Sequence, residues 1–141
     1  MKAIVISAIA VGLFITGSTI AEVLNIEVPQ AAKKNNCTAC HVISGRLVGP
    51  GWLEISEKYK GATKFTFAGI EHPLLEGLMI KVSRGGAGSW GTMPMPAYDT
   101  AGVKQAEIKE LVTFVIGLEK LAANKNAAAG KASERKTEVS K

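Results

Sequence analysis

Cys37-Thr38-Ala39-Cys40-His41 is the stretch on which the reading of this 141-residue chain turns. Its two cysteines are the only ones present, and a histidine follows the second at once. Two thiols three residues apart on a tight helical turn can each form a thioether with a vinyl group of one porphyrin. The next side chain then carries an imidazole beneath the porphyrin plane, onto the iron. Cys-x-x-Cys-His is the attachment signature for c-type haem. In that reading Cys37 and Cys40 are the covalent anchors. His41 is an iron ligand through one ring nitrogen, while the other donates to a backbone carbonyl. The competing readings are a dithiol oxidoreductase site, a structural disulfide, and a zinc site. Zinc would have to use Cys37, Cys40, His41 and His72, the only Cys and His available, and adjacent Cys40 and His41 make an awkward tetrahedral pair.

Working outward, Pro29 suits the first turn of a short helix running through Asn36 into Cys37. Gly49-Pro50-Gly51 punctuates an irregular stretch. Trp52, Ile55 and Tyr59 then recur on one face of a second helix that Gly61 ends. Lys64 to Ile70 alternates around Phe65 and Phe67 as a strand or hairpin arm. His72-Pro73 opens a third helix with Leu74, Leu75, Leu78, Met79 and Val82 on its apolar side, stopped by Gly85-Gly86. Ala87 to Asp99 reads as a Gly- and Pro-rich loop. Gln105 to Leu121 is the strongest helix, with Ile108, Leu111, Val112, Val115, Leu118 and Leu121 on one broad face. The expected fold is all-α: three to four helices wrapped around one covalently bound haem.

The ends differ in kind from the middle. Residues 1–21 have a charged start and an apolar run. Thr19 and Ala21 sit at the −3 and −1 positions of a cleavage site before Glu22, which reads as a signal peptide. The rival is an uncleaved anchor, since Ala3 to Ala21 is just long enough to cross a bilayer. Gly12, Gly17 and the hydroxyl residues near its end favour cleavage, and hence a periplasmic protein. Residues 22–121 form the domain, small enough that a bulky apolar cofactor would relieve a limited core. Residues 122–141 are rich in Ala and Lys without an apolar face and are expected to be disordered.

The formal net charge is +5, or +4 once Lys2 leaves with the leader. A modest positive bias favours docking to acidic patches on redox protein partners and makes association salt-sensitive. The scattered lysines and the export signal argue against nucleic acid. A membrane enters only if the leader stays.

An electron-carrying haem iron needs a sixth ligand so that little moves when the charge changes. A neutral thioether suits a high potential. Met79 lies on the apolar face of a helix and reads as core. Met93 and Met95 lie in Gly91-Thr92-Met93-Pro94-Met95-Pro96, where two prolines stiffen an extended strap. Alternate side chains on a strap point different ways, so one methionine faces iron and the other packs elsewhere. His72 is the rival, and its place beside Pro73 suits a surface helix start.

Three pieces in order, Cys37-Thr38-Ala39-Cys40-His41, Val48-Gly49-Pro50 and Trp90-Gly91-Thr92-Met93-Pro94-Met95-Pro96, resemble the short bacterial class I cytochromes c. The likeness covers most of residues 28–121. It implies a monohaem electron carrier in which Pro50 offers its carbonyl to His41. It also makes Met95 the axial methionine, puts Met93 in the place of a haem-packing aliphatic residue, and points the Trp90 indole N–H at a haem propionate. Three features depart from that family. Pro96-Ala97-Tyr98 stands where an Asn often tunes the methionine sulfur, the Gly85–Ser89 loop is short, and the stretch between Tyr59 and Leu74 is long.

The expected function is therefore a periplasmic one-electron carrier between redox partners, and not an enzyme, with haem c and its iron as cofactor. The alternatives are a dedicated haem subunit of a larger oxidoreductase complex and a haem protein that binds a small ligand at an open sixth site.

Overall fold

The computed structural model describes residues 26–138, with side chains through residue 128. The expected leader, residues 1–21, lies outside the described residues. The described elements are α1 (Gln30–Lys34), a 3₁₀ turn (Cys37–Ala39), α2 (Trp52–Lys58), β1 (Lys64–Phe67), β2 (Ile70–Pro73), α3 (Leu74–Arg84), β3 (Gly86–Gly88), β4 (Gly91–Met95) and α4 (Gln105–Glu138). The fold is mostly helical, as expected, with two small antiparallel hairpins added.

The long helix α4 is the spine. Leu111, Leu118 and Ala122 pack with Ile26, Ala31, Ala32 and Trp52 in one cluster; Ile108 and Val112 pack with Phe65 and Leu78 in another. Leu118 and Ile108 are fully buried, the position their helical spacing demands. Ser56 locks α2 to this spine. Its hydroxyl accepts the Glu119 N–H at 3.0 Å and donates to the Ile116 carbonyl at 3.3 Å, so its burial leaves no polar atom unpaired.

The long stretch after Tyr59 is a complete hairpin. Lys64 pairs with Pro73, Phe65 with His72, Thr66 with Glu71 and Phe67 with Ile70. Directly opposed residues share a face, and the Phe65–His72 face lies on α3. A Cβ on Gly77 would come within 2.9 Å of Phe65, so only glycine lets the hairpin settle there. The insertion therefore brings its own core residue, the buried Phe65. Its turn, Ala68-Gly69, has positive φ at both residues, 49° and 81°.

Two expectations change. The stretch read as a loop over Ala87 to Asp99 is partly the β3–β4 hairpin, in which Gly86 pairs with Met95 and Gly88 with Gly91. Glycines on β3 hid this strand because strand periodicity needs side chains to be seen. The final helix does not stop at Leu121 before a disordered tail but runs on to Glu138. Alanine has the highest intrinsic helix propensity, and the segment continues a helix already nucleated by packing. Among the described residues no helix is long and apolar enough to cross a membrane.

Candidate functional site

The attachment turn is short and tightly bonded. The N–H groups of Cys40 and His41 both donate to the Cys37 carbonyl, at 3.2 and 3.0 Å, and Asn36 enters the turn in the left-handed conformation that Asn tolerates. Cys37 and Cys40 are both half-buried and are not joined to each other. Burial pushes the Cys37 thiol above its ordinary pKa; a backbone hydrogen bond opposes this and neighbouring Cys40 adds to it.

Behind the turn the chain doubles back. The Gly49 N–H donates to the Cys40 carbonyl at 2.9 Å, and the Trp52 and Leu53 N–H groups donate to Val42 and Ile43 at 2.9 and 3.0 Å. This return carries Pro50 to His41, whose Nδ1 lies 2.8 Å from the Pro50 carbonyl oxygen. A carbonyl can only accept, so Nδ1 bears the proton and Nε2 keeps its lone pair. The ring is backed by Trp52, nearly parallel at 17° with centroids 6.3 Å apart; Trp52 in turn meets the edge of Phe114 at 5.9 Å. An imidazole with a fixed tautomer, a fixed plane and one available lone pair is a prepared metal ligand.

A mostly apolar cavity of about 220 Å³ lies in front of this ring. Cys37, Cys40 and His41 line it from the attachment turn, Val48 and Pro50 from the returning loop, and Met93 and Met95 from the strap. Leu111, Val112 and Val115 of α4 line it as well, as does Trp90. Trp90 has the Lys58 ammonium 4.2 Å and the Arg46 guanidinium 5.8 Å from its ring centre. Of the residues singled out from sequence, Cys37, Cys40, His41, Pro50, Trp90 and Met95 all border this one space. Met79 is partly buried in the second core cluster. His72 does not line the cavity; its Nδ1 sits 3.6 Å from Glu76 Oε1. Among the described residues no group of three or more Cys, His, Asp or Glu is gathered as a metal site.

Sequence reasoning passed over Lys81. It is buried, borders the cavity, and its ammonium donates to the Gly85 carbonyl at 3.1 Å and to that of Gly86. Burial pulls its pKa below the ordinary lysine value. Its apolar neighbours on α3 gave no sign that a cation caps the end of the helix.

The donor set and the shape fit a haem: two thiols three residues apart, an oriented imidazole, thioethers on the strap, and apolar walls. A family model described as cytochrome c matches residues 27–119. The cytochrome c-551 of Allochromatium vinosum is 38% identical over 87 residues, covering 62% of this chain and 81% of that relative. The cytochrome c-551 of Azotobacter vinelandii is 39% identical over 84 residues, covering 60% and 88%. The crystal structure of wild-type Nitrosomonas europaea cytochrome c552 superposes with a TM-score of 0.51 at 33% identity, over 62% of this chain and 95% of that one. The chain belongs to the cytochrome c family, among its short bacterial class I monohaem members. Its cofactor is covalently attached haem c with its iron, and it is a small electron carrier.

Proposed function

We propose that the chain is a periplasmic carrier that takes one electron from one redox protein and passes it to another. Cys37 and Cys40 would hold the haem by thioethers, His41 Nε2 and the Met95 sulfur would ligate its iron, the Pro50 carbonyl orients His41, and the Trp90 N–H would serve a propionate. Residues 1–21 are its removed leader and residues 22–121 its working domain.

The observation that carries this is the Nδ1 hydrogen bond to Pro50, which leaves one lone pair on a ring bordering the same cavity as the methionine strap. Bound haem supplies an iron that gains or loses one electron at a time. The chain's part is to stay still. His41 is fixed by Pro50 and Trp52, and the strap is stiffened by Pro94 and Pro96 and paired to β3 through Met95–Gly86. Little then has to move when the charge changes. The apolar walls keep water from the centre, and the net positive charge favours partners with acidic docking patches. No hydrolytic or group-transfer role is needed.

Stopped-flow oxidation of the reduced protein by an anionic inorganic one-electron oxidant tests this. The expected result is fast single-step oxidation that slows as salt rises, with no binding of carbon monoxide to the reduced protein on that timescale. Carbon monoxide binding as fast as to an open-site haem protein would favour the small-ligand role instead. The extension of α4 to Glu138 favours one further reading, a dedicated haem subunit, which predicts co-purification with a partner through salt washes.

A further inference from the structure

The Glu107 carboxylate, in the first turn of α4, gathers donors from two segments distant in sequence. Its Oε2 accepts from Asn35 Nδ2 at 2.7 Å and from the Tyr98 hydroxyl at 3.1 Å. Lys34 Nζ stands 3.4 Å from Oε1, but that ammonium is 76% exposed and contributes little. The second hydrogen of Asn35 Nδ2 goes to the Ala31 carbonyl at 2.8 Å, and the Cys37 thiol lies 3.8 Å from the Asn35 carbonyl. Asn35 thus joins the end of α1 to the start of the attachment turn.

Tyr98 lies three residues beyond Met95. Its N–H is 3.2 Å from the Val82 carbonyl and 3.1 Å from that of Ser83, and the Asp99 N–H donates to Ser83 at 3.1 Å. The strap's exit is therefore held by its backbone on the end of α3, by Asp99, which accepts from the Val103 and Lys104 N–H groups and the Gln105 side chain at the head of α4, and by the Tyr98 side chain on Glu107. Among the described residues, neither the α3 carbonyls nor Asp99 bonds to the approach to Cys37. The Tyr98 hydroxyl ties the strap to the same carboxylate that holds that approach.

We propose that Glu107 and Tyr98 are positioning residues that keep the methionine strap closed over the cavity. They do so by joining the strap's exit and the approach to the attachment turn at one point on α4. The inference rests on Met95 being the sixth ligand. It gives Tyr98 a task in a chain that has no Asn after its strap: the ligand is held by anchoring its mount.

An outside ligand can reach the iron only when the strap opens, so its apparent affinity scales with the open fraction. A hydrogen bond to a charged group is worth enough to change that fraction about tenfold. The test is imidazole titration of the oxidised, haem-loaded protein, followed by the loss of the weak iron–thioether band. Tyr98→Phe and Glu107→Ala should each bind imidazole about tenfold tighter. Glu107→Gln, which can still accept, should change less, and the double variant Tyr98→Phe/Glu107→Ala should gain little over either single change. Lys60→Met removes an exposed pair with Glu119 on the same helix, at 2.5 Å, and should leave imidazole affinity unchanged even where it lowers overall stability.

Affinities for Tyr98→Phe and Glu107→Ala within twofold of the unaltered protein, or a double variant whose effects simply multiply, would overturn the proposal. Tyr98→Phe keeps the ring and carries the test even if Glu107→Ala fails to mature. If Met95→Ala leaves the iron–thioether band intact, the ligand assignment and the clamp fall together. If Met95→Ala abolishes the band while Tyr98→Phe leaves imidazole affinity unchanged, the clamp alone falls.

Discussion

Gly49 lies against His41 so closely that a Cβ built on it would stand 2.6 Å from the imidazole Cε1 and 2.9 Å from Nδ1. Both the ring and its Pro50 partner are fixed, so neither can give way cheaply. Gly49→Ala should displace the ring, weaken the hydrogen bond to Pro50 and destabilise the protein by about 1–3 kcal/mol, the range for overpacking. The ratio of haem absorbance to polypeptide, with the urea midpoint, checks this. Both should drop.

A similar approach supports the strap from below. A Cβ on Gly85 would fall 2.4 Å from the Met95 carbonyl oxygen and 2.7 Å from the Ala97 nitrogen, and Gly85 has φ of 70°. Gly85→Ala therefore meets a backbone clash and a conformation that side chains avoid. The expected outcome is a weaker iron–thioether band in the oxidised protein and easier displacement of the sixth ligand by imidazole.

Ala68 is a place where the chain can be improved. It occupies the first central position of the β1–β2 turn with φ of 49°, next to Gly69 at 81°. Turns with positive φ at both central residues favour Asn-Gly. Ala68→Asn should raise stability by about 0.5–1 kcal/mol without changing the visible spectrum, and a denaturation midpoint reads the difference.

The carboxylates at the head of α4 predict the acid limb of stability. Burial pushes Asp99 upward, but hydrogen bonds from the Lys104 N–H, the Gln105 side chain and the Val103 N–H outweigh it and hold its pKa below the ordinary value. Asn35, then Tyr98, hold Glu107 below the ordinary carboxylate value. Groups whose folded pKa is depressed contribute stability above the ordinary carboxylate range and lose it as pH falls through the folded value. The denaturation midpoint should therefore fall with acidification below that range, and less steeply in Glu107→Gln.

Tyr98 predicts the alkaline limb. Burial, then its hydrogen bond to Glu107, raise its pKa from 10.0 to about 12. The unfolded chain releases this proton first, so stability is complete below pH 10 and declines between 10 and 12. Tyr98→Phe should flatten that decline in a pH series of denaturation midpoints.

Much of this was legible in the residues because the decisive signals are local. Cys37, Cys40 and His41 carry their spacing with them, and the apolar positions of Gln105 to Leu121 declare one face of a helix. Pro29, Pro73 and Gly85 mark helix ends where the structure has them. What stayed hidden depends on distance in space. Nothing near Glu107 in the chain names its partners, since Asn35 and Tyr98, 72 and 9 residues away, converge on it only in space. Lys81 is a lone cation among apolar residues in the sequence, and only the turn at Gly85 and Gly86 gives its ammonium two carbonyls. The strand at Gly86–Gly88 has no large side chain to show a period, and residues beyond Leu121 have helix-forming composition without the apolar face that would reveal it.

The most direct measurement combines intact-mass spectrometry with a pyridine haemochrome spectrum on protein matured in a host able to attach c-type haem. The predicted result is a mass one haem above the polypeptide with a spectrum of two thioether links, and one link lost in either Cys37→Ser or Cys40→Ser. A colourless product whose thiols are free, bridged to each other or bound to zinc would contradict it.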